Sequence, residues 1–285
     1  MSRIPRNVHF VFGLRKQTEP FHILHYIAIE SSRRLVEPDV IYFHYHHLPF
    51  GAFWDEIRPH LTLRRVELVQ EVEDAACSGM HFPDRYLYAH HADFIRLDSL
   101  IRYGGLYADI DTVFVRPPPR ELFDERFVIG REMDTRDVLT GRLRPSLCNA
   151  LMLSEVGSIF AATWRERMSD ALNGTWSNHS GFLSHEVSRS IPDHVRVVPE
   201  TYFFPVACTP EAIDGFVGDG PTRSDLSRCY SVHLWAHLWW EASRTDFSNC
   251  HAGQMTLSHL REAPSPLAQA VRPYLPNLQL DDLGI

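Results

Sequence analysis

A strand, a tight turn, a helix and a second strand follow one another with little slack between Val8 and Tyr45, and that succession dictates a parallel sheet. Val8-His9-Phe10-Val11-Phe12 reads as the first strand and Gly13 as its turn. Phe21, Leu24, His25 and Ala28 keep helical spacing in a helix expected over residues 19–36. Pro38 and Asp39 stop that helix, and Val40-Ile41-Tyr42-Phe43-His44-Tyr45 returns as the second strand. Neighbouring strands joined by a crossover helix place the chain in the α/β class. A short helix over residues 54–60 and a third strand over residues 61–69 continue the pattern.

The next anchor is a long helix, residues 85–102, in which Ala89, Ala92, Asp93, Arg96, Leu97 and Leu100 recur at three- and four-residue intervals. Tyr103-Gly104-Gly105 caps it with residues able to take positive φ. Leu106 and Tyr107 then open a strand that Val113, Phe114 and Val115 carry as far as Pro117. Alternation along that strand would point Asp109 and Asp111 the same way. Two carboxylates in so apolar a run suit a divalent cation carrying phosphate oxygens. Strands at residues 127–130, 149–153 and 195–198 and a helix at residues 158–172 follow, with no internal repeat or linker, so one domain over residues 1–285 is the economical division.

Composition narrows the classes. With 44% hydrophobic and 12% aromatic residues the chain can bury a large core. A net charge of -8 and a pI near 6.1 argue against a nucleic-acid surface, and no Lys/Arg cluster suggests an anionic membrane patch. Five scattered cysteines without a C-x-x-C pair fit reduced thiols. With no long apolar leader or spanning run, the expected location is cytoplasmic, with peripheral recruitment to a membrane-bound acceptor left open. The N-x-S/T sequons Asn173-Gly174-Thr175 and Asn178-His179-Ser180 would matter only in a secretory lumen.

Asp93-Phe94-Ile95-Arg96, then Tyr107, Asp109 and Asp111, all inside a helix-Gly-Gly-strand frame, resemble the donor site of glycosyltransferases carrying the DXD sugar-binding motif. That superfamily includes initiating α-mannosyltransferases, α-1,4-galactosyltransferases and toxin glucosyltransferase domains. Ile4-Pro5-Arg6-Asn7-Val8-His9-Phe10 is similar to the family's opening strand, with Phe12 where the family commonly has Trp. Cys148-Asn149-Ala150 and the run from His233-Leu234-Trp235 to Trp240 resemble two further elements, so the likeness spans residues 4–240.

The resemblance implies a GT-A (Rossmann-like) fold, a central mixed, mainly parallel sheet flanked by helices. It implies a metal-dependent, retaining transfer from a UDP- or GDP-sugar, UDP favoured, to a glycan, lipid-linked or protein acceptor, as in polysaccharide biosynthesis. Asp109, Asp111 and His233 resemble ligands of Mn²⁺ or Mg²⁺, with His237 competing for the last place. Asp93 and Arg96 resemble the grip on the donor sugar and join Asp111 as the catalytic set. Phe10, Val11, Phe12, Tyr107 and Trp240 fall at donor-binding positions, with Asp109 facing the ribose, and Asn149 at an acceptor-binding one. Trp235, Trp239 and Trp240 form either a cover over the donor or an aromatic core. No residue declares itself a covalent nucleophile, so a front-face reaction is implied.

Plainer readings stand beside these. Asp93 and Arg96 also fit a surface ion pair, Phe12 a core residue, and most of the seventeen histidines structural roles. Asp109-Ile110-Asp111-Thr112-Val113 also fits a haloacid-dehalogenase phosphatase, whose chemistry wants a later lysine; the sole lysine is Lys16. A non-catalytic carbohydrate-binding protein is the other alternative.

Overall fold

A computed structural model describes residues 2–82, 87–218, 226–236 and 255–278. Its centre is a seven-stranded sheet. The chain lays down β1 (Asn7–Val11), α1 (Ile23–Leu35), β2 (Val40–Tyr45), α2 (Ala52–Ile57), β3 (Thr62–Arg65), α3 (Gln70–Cys77), α4 (Leu87–Tyr103) and β4 (Gly105–Ala108). There follow β5 (Thr112–Phe114), β6 (Phe127–Arg131), β7 (Thr135–Arg136), β8 (Leu143–Arg144), β9 (Leu147–Ser154), α5 (Ile159–Ala171), β10 (Arg196–Val198) and β11 (Ser231–His233).

The order across the sheet is β10-β6-β9-β4-β1-β2-β3. β9 runs antiparallel to both its neighbours, and the other pairings are parallel, giving the mixed, mainly parallel sheet expected. The order reverses between β1 and β4, and a crevice opens at such a switch point, beyond the carboxyl ends of the strands. Strand alternation feeds two cores. Val8, Phe10, Leu106 and Ala108 pack on the α1 side, while Val11, Tyr107, Ile129 and Met152 pack on the side of α4 and α5. No helix among the described residues is long and apolar enough to cross a membrane.

Several expected boundaries move. α1 starts at Ile23 rather than residue 19, because the His22 side chain accepts the Leu24 N–H and caps the first turn there. β3 ends at Arg65, and α3, which was not anticipated, follows; Val72 alone of its residues is buried, so no apolar stripe announces it.

The Gly104-Gly105 step delivers α4 into β4. Gly104 has φ 59° and Gly105 φ 107°. A Cβ on Gly105 would stand 2.5 Å from the Asn7 carbonyl oxygen, so only glycine lets β4 seat against β1.

Beneath that step lies a buried histidine pair. His9 Nε2 donates to the Gly104 carbonyl at 2.8 Å, which leaves His9 Nδ1 to accept from His44 Nε2 at 3.0 Å. Burial lowers the pKa of His9 to about 4, partly opposed by the Gly104 bond, and that of His44 to about 3. Both rings are therefore neutral when folded but protonate near pH 6.5 when unfolded. The unfolded chain binds more protons between those values, so stability falls as pH drops below 6.5, by about 1.4 kcal/mol per unit for each ring. Urea unfolding across that window should show the decline, and His44→Gln should flatten it by one ring's share.

Candidate active site

The residues beyond the carboxyl ends of β1, β4 and β6 line a cavity of about 530 Å³. That is room for a nucleotide-sized ligand. Phe12 and Gly13 follow β1, Asp109 and Asp111 follow β4, and Glu132 follows β6.

Asp109 and Asp111 do not converge by strand alternation. The strand ends at Ala108, and Asp109 to Thr112 form a turn closed by the Thr112 N–H on the Asp109 carbonyl at 2.9 Å. The apolar residues on either side belong to two strands, β4 and β5, in different sheets. The turn brings the two carboxylates together with His233, within 4.8 Å of one another by their candidate ligand atoms.

β11 carries His233 there. It pairs antiparallel with β5, with His233 opposite Thr112. α1 steadies the ribbon, since the Phe114 N–H donates to Ser31 Oγ at 3.0 Å. His233 Nε2 lies 3.0 Å from Asp111 Oδ1 and 3.7 Å from Asp109 Oδ2. Just past it, Trp235 adopts φ 50°, an uncommon conformation for such a residue, and the chain turns so that the Ala236 N–H donates to Asp111 Oδ2 at 2.8 Å. Burial disfavours charge on His233, but the carboxylates of Asp111, Asp109 and Glu132 together outweigh it and raise the ring's pKa. The ring's Nδ1 is buried without a partner, so its polar engagement runs through the nitrogen that faces the carboxylates. His237 and Trp240, also expected here, lie outside the described residues, as does Trp239.

Arg96 organises the other half. Its Nη2 lies 3.2 Å from Asp93 Oδ1 and 3.3 Å from Asp109 Oδ1, its Nη1 donates to the Asn149 carbonyl at 2.9 Å, and its guanidinium sits over the Tyr107 ring. Arg96 is 5% and Asp93 8% exposed, so this is not a surface pair. Tyr107 OH donates to Asp109 Oδ1 at 2.6 Å. Burial raises the pKa of Asp109 despite the opposing pull of Arg96. For Asp93 the attraction of Arg96, with His179, outweighs burial, and its carboxylate stays below the ordinary range.

Other expected residues fall differently. Phe10 is fully buried in the α1-side core and does not line the cavity, because alternation turns it away from the crevice. Val11 lines it, and so does Phe12, whose ring packs on Phe21 and His25. Asn149 lines it too, but its amide donates to Asp93 Oδ1 at 2.8 Å, which ties it to the Asp93 group.

Two residues were missed. His179, in the π-helical turn Asn178–Phe182, approaches Asp93 Oδ2 through Nε2 at 2.9 Å, backed by His90. One histidine among seventeen, at no regular spacing, offers no signal. Glu132 lines the cavity, takes a hydrogen bond from Ser146 Oγ at 2.5 Å, and has its pKa raised by burial. Its place directly after a strand was the available clue.

The family model described as the glycosyltransferase sugar-binding region containing a DXD motif matches residues 62–128. Glucan organizing enzyme 1 of Cryptococcus neoformans var. grubii is 30% identical over 278 residues, which cover 95% of this chain and 71% of that protein. The chain belongs to the glycosyltransferase family whose sugar-binding region contains the DXD motif, and it is an enzyme of that kind. Among solved structures, the glycosyltransferase GlyE of Streptococcus pneumoniae aligns with TM-score 0.49 and 13% identity over 99% of this chain and 62% of that one. The galactosyltransferase LgtC aligns with TM-score 0.48 and 14% identity over 98% of this chain and 99% of that one. Family membership sets the phosphatase alternative aside.

Proposed function

We propose that the protein moves a sugar, with retention at the anomeric carbon, from a nucleoside diphosphate sugar to a glycan acceptor in a metal-dependent reaction. UDP-sugars are favoured over GDP-sugars, and lipid-linked or protein acceptors are the other acceptor classes. The observation that carries this reading is the Asp109, Asp111 and His233 trio on the wall of a cavity shared with Asp93 and Arg96.

The trio fits a hard divalent ion. Two carboxylates and one imidazole suit Mn²⁺, or Mg²⁺ with more oxygen ligands. A cation held there would neutralise charge on the departing diphosphate. Tyr107 and Arg96 fix the Asp109 carboxylate through Oδ1 and leave Oδ2 turned towards His233. Phe12 offers an aromatic face to the base.

Asp93 is suited to holding hydroxyls rather than to attack. Asn149 and Arg96 engage one of its oxygens and His179 the other, and a carboxylate so engaged is a poor nucleophile. That supports a front-face route in which Arg96 steadies developing charge. The glycan acceptor draws on the name of the fungal relative, glucan organizing enzyme 1.

A panel of UDP- and GDP-sugars with Mn²⁺ tests the proposal. The correct donor at a hundred times its Kd should stabilise the fold by about 2.7 kcal/mol and be slowly hydrolysed, with both effects lost in EDTA. Stabilisation and hydrolysis without transfer to any acceptor glycan would count against the glycan acceptor. No Mn²⁺-dependent response to any donor would overturn the proposal.

A further inference from the structure

The hairpin formed by β7 and β8 is organised by one buried carboxylate. Asp137 Oδ1 accepts the N–H groups of Leu139 at 2.9 Å and Thr140 at 3.2 Å, and its Oδ2 accepts Arg144 Nη1 at 2.9 Å. Its backbone closes the turn as well, donating to the Arg142 carbonyl at 2.9 Å and accepting from Gly141 at 2.7 Å. Arg136 Nη1 adds a bond to the Gly141 carbonyl from the other strand. The tip is therefore a fixed turn.

What the fixed turn presents outward is apolar. Val138 is 73% exposed, Leu139 72% and Leu143 62%, the three most exposed large hydrophobic residues among those described. Isolated exposed apolar side chains are ordinary, but three on one braced hairpin form a patch. The sequence holds no basic run here, but three exposed arginines lie along the hairpin, Arg131 at its base, Arg136 on β7 and Arg142 beside the tip, against one exposed acid, Asp134. The stem is part of the active site, since Met133 to Arg136 line the cavity.

We propose that this hairpin is a bilayer-docking finger. Val138, Leu139 and Leu143 enter the boundary between headgroups and acyl chains, and the arginines meet lipid phosphates. Three observations favour a bilayer over a protein partner. A narrow apolar tip on a hairpin that carries three exposed arginines against one exposed acid matches the apolar-below, anionic-above layering of a lipid surface. Three side chains fall far short of the roughly 1,000 Å² that a stable protein interface buries. Two copies meeting tip to tip would bring like charges together. Docking would hold the cavity mouth at the membrane, where a lipid-linked acceptor is presented. The finger does not depend on which donor the site takes.

Co-sedimentation of the full chain with phospholipid vesicles tests the proposal without nucleotide or metal. The protein should pellet with phosphatidylcholine vesicles, and more strongly when phosphatidylglycerol is mixed in. Val138→Asp with Leu139→Asp should lower the bound fraction at least about tenfold on both. Arg131→Gln with Arg142→Gln should weaken binding to the anionic vesicles by about fivefold per arginine. The tip side chains are outside the core, so an unchanged thermal midpoint should certify folding of the variants. Absence of vesicle binding, or equal binding by the aspartate variant, would overturn the proposal. So would a dimer, seen by sedimentation velocity, that the aspartate variant dissolves while vesicles recruit neither form.

Discussion

Asp111→Asn is expected to lower sugar-transfer turnover about a thousandfold, because the charge stabilisation a bound metal supplies amounts to several kcal/mol. The substitution keeps the shape of the side chain and an oxygen able to accept the Ala236 N–H. It removes the negative charge that faces His233 Nε2 at 3.0 Å, and with it half of the carboxylate pair. Two measurements separate a metal role from a packing role. Thermal stabilisation by Mn²⁺ alone should vanish in the variant, and activity should not return with a large excess of the ion. Turnover and Mn²⁺ stabilisation both equal to those of the parent would remove Asp111 from the metal site.

Arg96→Met should cost about 3–5 kcal/mol of stability, lowering the thermal midpoint by about 5–10 °C. Methionine fills similar space but leaves Asp93 and Asp109 without the cation that both face within 3.3 Å. Asp93 has its pKa depressed in the folded state, so its pairing stabilises the protein above the unfolded carboxylate pKa. That contribution fades as pH falls through the lower folded value. The gap between parent and variant should therefore narrow in acid, even though the buried histidines weaken both. A midpoint that does not move, or a gap that widens in acid, would show that Arg96 does not hold the two carboxylates. Transfer should fall as well, because the same guanidinium fixes Asp109.

The opening of the fold was legible because its signals are local. β2 sits at Val40–Tyr45, directly behind the Pro38-Asp39 stop, and β1 differs from the expectation by one residue at each end. The passage from α4 through Gly104-Gly105 into β4 was legible for the same reason: helical spacing ends on two glycines. The turn at Ile110-Asp111 was not. Leu106, Tyr107, Val113 and Phe114 read as one apolar run, and nothing in the run says that its second half pairs with β11, more than a hundred residues later. α3 was hidden by polarity, and the depth of the Asp93 and Arg96 pair by the fact that spacing fixes a helix face but not what covers it. Asn149 shows a related limit, since a motif position names a residue without naming its partners.

The strands of the central sheet all lie before residue 199, whereas His233 arrives on a separate ribbon. During synthesis, which proceeds from the N-terminus, every pairing of that sheet can form while β11 is still within or near the ribosome. The proposed metal site would therefore be completed only after the sheet, as β11 closes over β5. A nascent chain stalled before residue 231 would have its crossovers in place and two aspartates waiting, yet lack the imidazole that completes their set.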